Sequence, residues 1–209
     1  LQLIPGPNAP GRDNGTRDNF ATSGIENFTQ NSTNVRIDGR LSQAINNFGR
    51  YSLGKFHREA PSAFGKGGGP SVIGPGNLGG VSDSRNQSLA YGLDYPISST
   101  LLADVRFGWF QYKVDVLPAD FGTTPAADAG IPNLNKDTNF TSGLPYFGIR
   151  GNQADMDWGW SLNDNAGRCN CPLNENEKQW QIVSNVTKLW GSHTSKVGVD
   201  IRRAYNLRI

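Results

Sequence analysis

The sequence predicts an all-β chain of antiparallel up-and-down strands with two long irregular loops. Apolar and polar residues alternate with period two in six stretches, while a 3.6-residue repeat is almost absent. The 26 Gly and 12 Pro in 209 residues supply many turns without reaching the level of a low-complexity chain. The connections between the stretches run short, long, short, long, short.

Residues 1–32 show no sustained alternation and are expected to form a loop or an incomplete strand. In 33–42, Val35, Ile37, Gly39 and Leu41 share one face, while Arg36, Asp38 and Arg40 share the other. A short Asn-containing connector suits a hairpin. The pattern resumes over 47–56, with Gly49, Tyr51 and Leu53 opposite Arg50, Ser52 and Gly54. Residues 57–86, dominated by glycine, form the first long loop. The cleanest strand follows at 87–95, where Leu89, Tyr91, Leu93 and Tyr95 alternate with Ser88, Ala90, Gly92 and Asp94. After a turn at Pro96–Ser99, residues 100–114 set Leu101, Ala103, Val105, Phe107 and Trp109 against Asp104, Arg106 and Gly108. Near Trp109 to Tyr112 the apolar phase shifts by one residue, which predicts a bulge or the membrane edge of a strand. Residues 115–177, with five prolines, form the second long loop. Strands at 178–190 and 194–205 flank the turn Gly191-Ser192-His193. Trp180, Ile182 and Val186 lie on one side of the first, with Val183 and Leu189 blurring its phase. Val197, Val199 and Ile201 face one way in the second, against Lys196, Asp200 and Arg202.

Composition excludes several functions. No window holds the roughly 20 apolar residues of a spanning helix, and Leu1-Gln2-Leu3-Ile4-Pro5 lacks a basic region followed by an apolar run, so neither a helical membrane protein nor an intact secretory precursor is expected. The formal charge of +2 is dispersed, and no basic stripe points to nucleic acid.

Periodicity alone leaves two architectures open. In a soluble β-sandwich the apolar face is core and the polar face meets water. In a membrane barrel Leu89, Tyr91, Leu93, Val105, Phe107, Val197, Val199 and Ile201 face lipid, while Arg36, Asp104, Arg106, Asp200 and Arg202 face a wet lumen. Strand patterns of ten to fifteen residues and alternating loop lengths fit the barrel, whose short turns and long loops lie at opposite ends.

Whole segments then favour the barrel. Asn34-Val35-Arg36-Ile37-Asp38, Phe48-Gly49-Arg50-Tyr51-Ser52, Arg106-Phe107-Gly108-Trp109, Leu117-Pro118-Ala119-Asp120-Phe121-Gly122, Gly130-Ile131-Pro132-Asn133-Leu134 and Thr141-Ser142-Gly143-Leu144-Pro145 occur in this order. Together with Gln181-Ile182-Val183-Ser184-Asn185-Val186-Thr187 and the stretch from Gly191 to Arg202, they resemble the barrel of TonB-dependent receptors, in the Oar-like subgroup with a carboxypeptidase-regulatory-like domain. The resemblance covers most of residues 34–203. Ser192 and Ser195 stand where that family usually shows Lys and Phe, and the stretch from Asp155 to Trp160 has no counterpart there. The resemblance implies an internal fragment of a transmembrane outer-membrane β-barrel in a Gram-negative-type bacterium, taking part in energised uptake of a large or scarce solute. It implies as partners the outer-membrane lipid, a plug domain and TonB complex outside this chain, and an unknown solute at the loops. The competing reading is a soluble β-sandwich module binding a ligand or carbohydrate in a secreted protein.

No catalytic, cofactor-binding or metal residues are assigned, and no cofactor or enzymatic activity is expected. Gly74-Pro75-Gly76-Asn77-Leu78-Gly79 matches G-x-G-x-x-G without the strand and helix a dinucleotide site needs. Asp155 and Asp157, near Asn163-Asp164-Asn165, lack the Gly and terminal Glu of an EF-hand loop. Trp158 and Trp160 are expected to pack the loop rather than stack on a ligand. Cys169 and Cys171, one residue apart, match neither a CxxC motif nor a zinc pattern and read as loop thiols. With His57 and His193 the only histidines, no Ser-His-Asp set can be placed, and carboxylate pairing for a glycosidase has no support. The Asn-x-Ser/Thr sites at Asn14, Asn27, Asn31, Asn86, Asn139 and Asn185 read as composition.

Overall fold

The computed structural model describes residues 3–68, 79–136, 141–149, 156–158 and 172–209. Among them the strands are β1 (Asn27–Arg40), β2 (Asn46–Ala60), β3 (Gly80–Ser98), β4 (Leu101–Pro118), β5 (Phe147–Ile149), β6 (Met156–Trp158), β7 (Leu173–Trp190) and β8 (His193–Arg208). A 3₁₀ turn at Gly65–Gly67 and a four-residue helix α1 (Pro125–Asp128) are the helical elements described. Six strands form one antiparallel sheet in the order β1-β2-β3-β4-β7-β8, and β5 pairs with β6 alone. Each of the six long strands therefore lies beside the long strands that precede and follow it along the chain. The fold is all-β, as the alternation predicts.

Turn chemistry explains the short connections. Between β1 and β2, the Leu41 N–H donates to the Ile45 carbonyl (3.0 Å), and Ser42 Oγ accepts from the amides of Ala44 (3.3 Å) and Ile45 (3.2 Å). Residues 99–100 join β3 to β4, where Ser98 Oγ accepts from the Thr100 amide. Residues 191–192 join β7 to β8, pairing Trp190 with His193. Gly191 has φ +56° there, a left-handed conformation that a two-residue hairpin requires and glycine adopts freely.

The chain divides into two compact units. The second (Gln30–Phe56, Ser84–Val114, Glu175–Ile209) holds most of the six-stranded sheet and all three short turns. The first (Leu1–Thr29, His57–Asp83, Asp115–Asn174) holds the long connections and the strand ends that enter them.

The first unit is more ordered than an irregular loop. Its organising residue is Asn135, in the left-handed region at φ +54°. Its side-chain oxygen accepts from the amides of Ala126 (2.9 Å) and Ala127 (3.1 Å), the start of α1, and its amide nitrogen donates to the carbonyls of Thr141 (2.9 Å) and Gly143 (2.8 Å). Asp120 Oδ2 accepts from the Leu144 amide (2.6 Å), and Ser142 Oγ accepts from that of Gly122 (2.7 Å). Ala126 and Leu144 are buried by this arrangement. Three segments on which the family resemblance rests, around Leu117–Gly122, Gly130–Leu134 and Thr141–Pro145, thus fold together.

The strands exceed their sequence-based bounds. Residues 27–32, expected as part of a loop or an incomplete strand, begin β1. β2 extends to Ala60, β3 begins at Gly80 rather than 87, β4 continues to Pro118 and β7 begins at Leu173 rather than 178. The added residues are mostly polar, with isolated apolar residues such as Phe28, Val81 and Leu173, and carry no two-sided alternation, so their pairing is invisible to a hydrophobic pattern. The expected loops at 57–86 and 115–177 shrink accordingly, and the second also carries α1, β5 and β6. β4 runs unbroken through Trp109 to Tyr112; the phase shift arises because Phe110, on the opposite side from Gln111, is also apolar. Cys169, Cys171, Asp155, Trp160, Asn163 to Asn165 and the segment from Gly74 to Leu78 lie outside the described residues.

Candidate functional site

Side-chain contacts assign the two faces of the sheet in the second unit. On one face a polar network runs across all six strands. Arg36 on β1 grips Asp38 (2.7 and 2.9 Å), and its guanidinium lies 4.3 Å from the centre of the Phe48 ring on β2. Arg50 on β2 donates to Asn34 on β1 (3.3 Å). Phe48 covers Gly92 on β3: a Cβ at Gly92 would lie 2.1 Å from the ring. Arg106 on β4 approaches the same ring at 5.8 Å, pairs with Asp94 and donates to the Leu93 carbonyl (2.7 Å). Asp104 accepts from Asn185 on β7 (2.8 Å), and Asp200 on β8 accepts from Gln181 on β7 (2.8 Å), with Arg202 3.9 Å away. A Cβ at Gly198 would lie 2.1 Å from Asn185 Oδ1, so this glycine leaves room for the amide.

The other face is apolar and uncovered. The β7–β8 register sets Ile182 against Ile201, Ser184 against Val199 and Val186 against Val197. Even on the central strands, Leu89 is 40% exposed, Tyr91 36% and Val105 37%. A second sheet would bury such side chains almost completely, and none lies over them among the described residues. This overturns the sandwich reading.

The apolar face has defined margins. At one, Tyr51 donates to Gln87 Oε1 (2.9 Å), Gln87 to Gln111 (2.9 Å) and Gln111 to Asn176 (2.9 Å), an amide ladder crossing β2, β3, β4 and β7. At the other, Lys188 donates to Thr100 Oγ1 (2.8 Å) and lies 5.8 Å from the Trp190 ring. Trp180 and Trp190 are ten residues apart on β7. At about 3.3 Å per residue that is about 33 Å of strand, and a tilt of about 40° reduces it to about 25 Å, the height of the apolar band between the aromatic girdles of outer-membrane barrels.

A family model described as an outer membrane beta barrel domain matches residues 1–208. The chain belongs to this outer-membrane β-barrel family. A search of the curated proteins found no match.

Membership places this outer-membrane barrel chain in the outer membrane of a Gram-negative bacterium. The family is generally non-enzymatic. The apolar face is then the lipid face and the polar network the lumen face. All five lumen residues expected from sequence, Arg36, Asp104, Arg106, Asp200 and Arg202, lie on the polar face. Val183, which blurred the phase of β7, pairs with Asp200 on that face, whereas Arg203 pairs with Trp180 on the lipid side.

The alternation missed two features. Phe48, as an aromatic residue, reads as lipid-facing; the signal for the lumen face is phase, since it precedes Arg50 by two. The Gln87-Gln111-Asn176 ladder sits at lipid-face positions but is polar, and only strand register brings its members together.

Proposed function

We propose that this chain is a barrel segment of a TonB-dependent receptor of the Oar-like kind, serving energised uptake of a large or scarce solute without catalysis of its own. The reading rests on one structural observation above others: charged and amide side chains from six adjacent strands are bonded to one another along the lumen face. Such a wall suits a plugged or solute-passing interior, because each charge keeps a partner while its remaining hydrogen-bonding capacity faces the lumen. Arg36, Arg106, Asp104, Asp200 and Arg202 line the path or contact the plug. The folded connection around Asn135 and the loop between β2 and β3 present the solute-recognition surface. The partners are a plug domain and the TonB complex, both beyond this segment, together with the surrounding lipid.

Extending the reading frame from the source DNA tests this directly. An upstream plug with a TonB-binding segment and further alternating strands downstream are expected. An extended frame with additional strands and no plug would leave a barrel and remove the transporter reading.

A further inference from the structure

On the lumen face of the second unit, one arginine of an inner strand has no anionic partner. Arg106 is held by Asp94, Arg36 by Asp38, and Arg202 lies beside Asp200. Arg50 on β2 makes a single hydrogen bond, from Nη2 to the neutral Asn34 Oδ1 (3.3 Å), and no carboxylate pairs with it among the described residues. Strand register names its neighbours. The Leu41–Ile45 hydrogen bond and the approach of a Gly39 Cβ to Asn47 Oδ1 at 3.2 Å fix β1 against β2, and carried up the hairpin they set Arg36 opposite Arg50 and Asn34 opposite Ser52. The approaches of Gly92 to Phe48 and of Gly54 to Asn86 fix β2 against β3, which sets Ala90 opposite Arg50 and Ser88 opposite Ser52.

Like charges directly across a sheet repel. The two heads diverge accordingly: Arg36 leans toward the hairpin turn, to Asp38 and the Phe48 ring, and Arg50 leans the other way, to Asn34. The unneutralised guanidinium thus reaches the row Asn34–Ser52–Ser88, which presents donors. Arg50 occupies Asn34 Oδ1, so the amide keeps its Nδ2 hydrogens to give; the Ser52 and Ser88 hydroxyls make no hydrogen bond among the described residues; and Arg50 retains the other N–H groups of its fork. Ala90, beside Arg50, ends at a methyl group and leaves room above the wall. With strands about 4.8 Å apart, the row spans about 10 Å.

We propose that Arg50, with Asn34, Ser52 and Ser88, is a subsite for a phosphate or carboxylate group of the solute, which makes the solute an anion. A guanidinium with no counter-ion and a second cation across the strand gains from an arriving anion what the paired arginines already have from Asp38 and Asp94. Hydroxyl and amide donors around it complete the hydrogen bonds that such an oxyanion accepts. The inference rests on the transport reading only in calling the anion a solute. A reading frame without a plug would remove transport and leave a measured anion site in place, whereas failed binding would remove the site and leave transport untouched.

The test uses the complete outer-membrane protein in zwitterionic detergent. Isothermal titration calorimetry should show saturable binding of inorganic pyrophosphate and of citrate, weakening as salt rises, and none of uncharged sucrose. Arg50→Gln should weaken pyrophosphate binding about ten-fold, because charge-assisted hydrogen bonds are lost, and Ser52→Ala about two- to three-fold. Lys55→Gln, on the lipid side of β2, should leave it unchanged. With no anion added, Arg50→Gln should melt no lower than the parent, since it removes a like charge from beside Arg36 and breaks no ion pair. Heat-modifiable migration on gels shows that each variant is folded; if Arg50→Gln is not, Ser52→Ala and the two anions against sucrose on the unaltered protein decide the matter. An Arg50→Gln protein that binds pyrophosphate as the parent does, or anions that give no more heat than sucrose, would overturn the proposal. A lowered melting temperature for Arg50→Gln would mean that a carboxylate of the protein itself already holds Arg50, and would overturn it equally.

Discussion

An arginine moved down the lipid side of β3 should trace the depth of the bilayer. Gln87, in the amide ladder, marks the outer margin, and Ile97, ten residues on, lies near the short turn. At about 3.3 Å per residue and a tilt of about 40°, each two-residue step descends about 5 Å. Leu89 then lies about 5 Å below the margin, Tyr91 about 10 Å and Leu93 about 15 Å, so Tyr91 and Leu93 bracket the midplane. Arginine at a barrel midplane costs about 2–4 kcal/mol and near an interface about 0–1 kcal/mol. Leu93→Arg should therefore destabilise by about 2–4 kcal/mol, Leu89→Arg by roughly 1 kcal/mol and Gln87→Arg by almost nothing. Urea unfolding of the complete protein in phospholipid vesicles, followed by tryptophan fluorescence, measures the series. On a water-exposed face the same substitutions would stay within about 0.5 kcal/mol of one another. A flat profile would therefore refute the lipid assignment, and a maximum at Leu89 would refute the depth scale.

On the lumen side, Arg106→Gln should cost under about 1 kcal/mol in the same assay, because its pair with Asp94 is solvent-accessible and such pairs contribute little. Gly92→Ala should cost about 1–3 kcal/mol, since the new methyl collides with the Phe48 ring, and adding Phe48→Ala should recover much of that loss in a double-mutant cycle. Asn135→Ala removes four hydrogen bonds and should open the 119–145 connection to limited proteolysis while leaving gel-shift evidence of a folded barrel intact.

The sheet was legible where the bilayer imposes a rule on every second residue. Leu89, Tyr91 and Leu93 against Ala90, Gly92 and Asp94 leave little choice of phase, and phase alone placed Arg36, Arg106 and Asp200 correctly on the lumen face. Beyond the bilayer that rule lapses. Residues 80–86 continue β3 through Asp83, Ser84, Arg85 and Asn86, polar on both sides, because strand pairing there is maintained by backbone hydrogen bonds and partner strands rather than by lipid. The order of the connection around Asn135 was equally hidden. It depends on one asparagine with a positive φ reaching carbonyls six and eight residues away, a pattern with no periodicity to detect.

The lumen network shows why alternation reveals a face but not its wiring. Each interior polar residue could in principle pair along its own strand or across to a neighbour, and both occur: Arg36 with Asp38 two residues on, Asp104 with Asn185 on the far side of the longest connection. Which option prevails depends on space. Gly92 and Gly198 clear the room into which Phe48 and Asn185 extend, so the small residues of one strand select the large partners of the next. Exchanging the two sides of such a contact, with Gly92→Phe and Phe48→Gly together, should therefore perturb stability less than Gly92→Phe alone. A cycle in which the double variant is the less stable would mean that the guanidinium stack of Arg36 on Phe48, which ties β1 to β2, contributes more than the fit of Phe48 over Gly92, which ties β2 to β3.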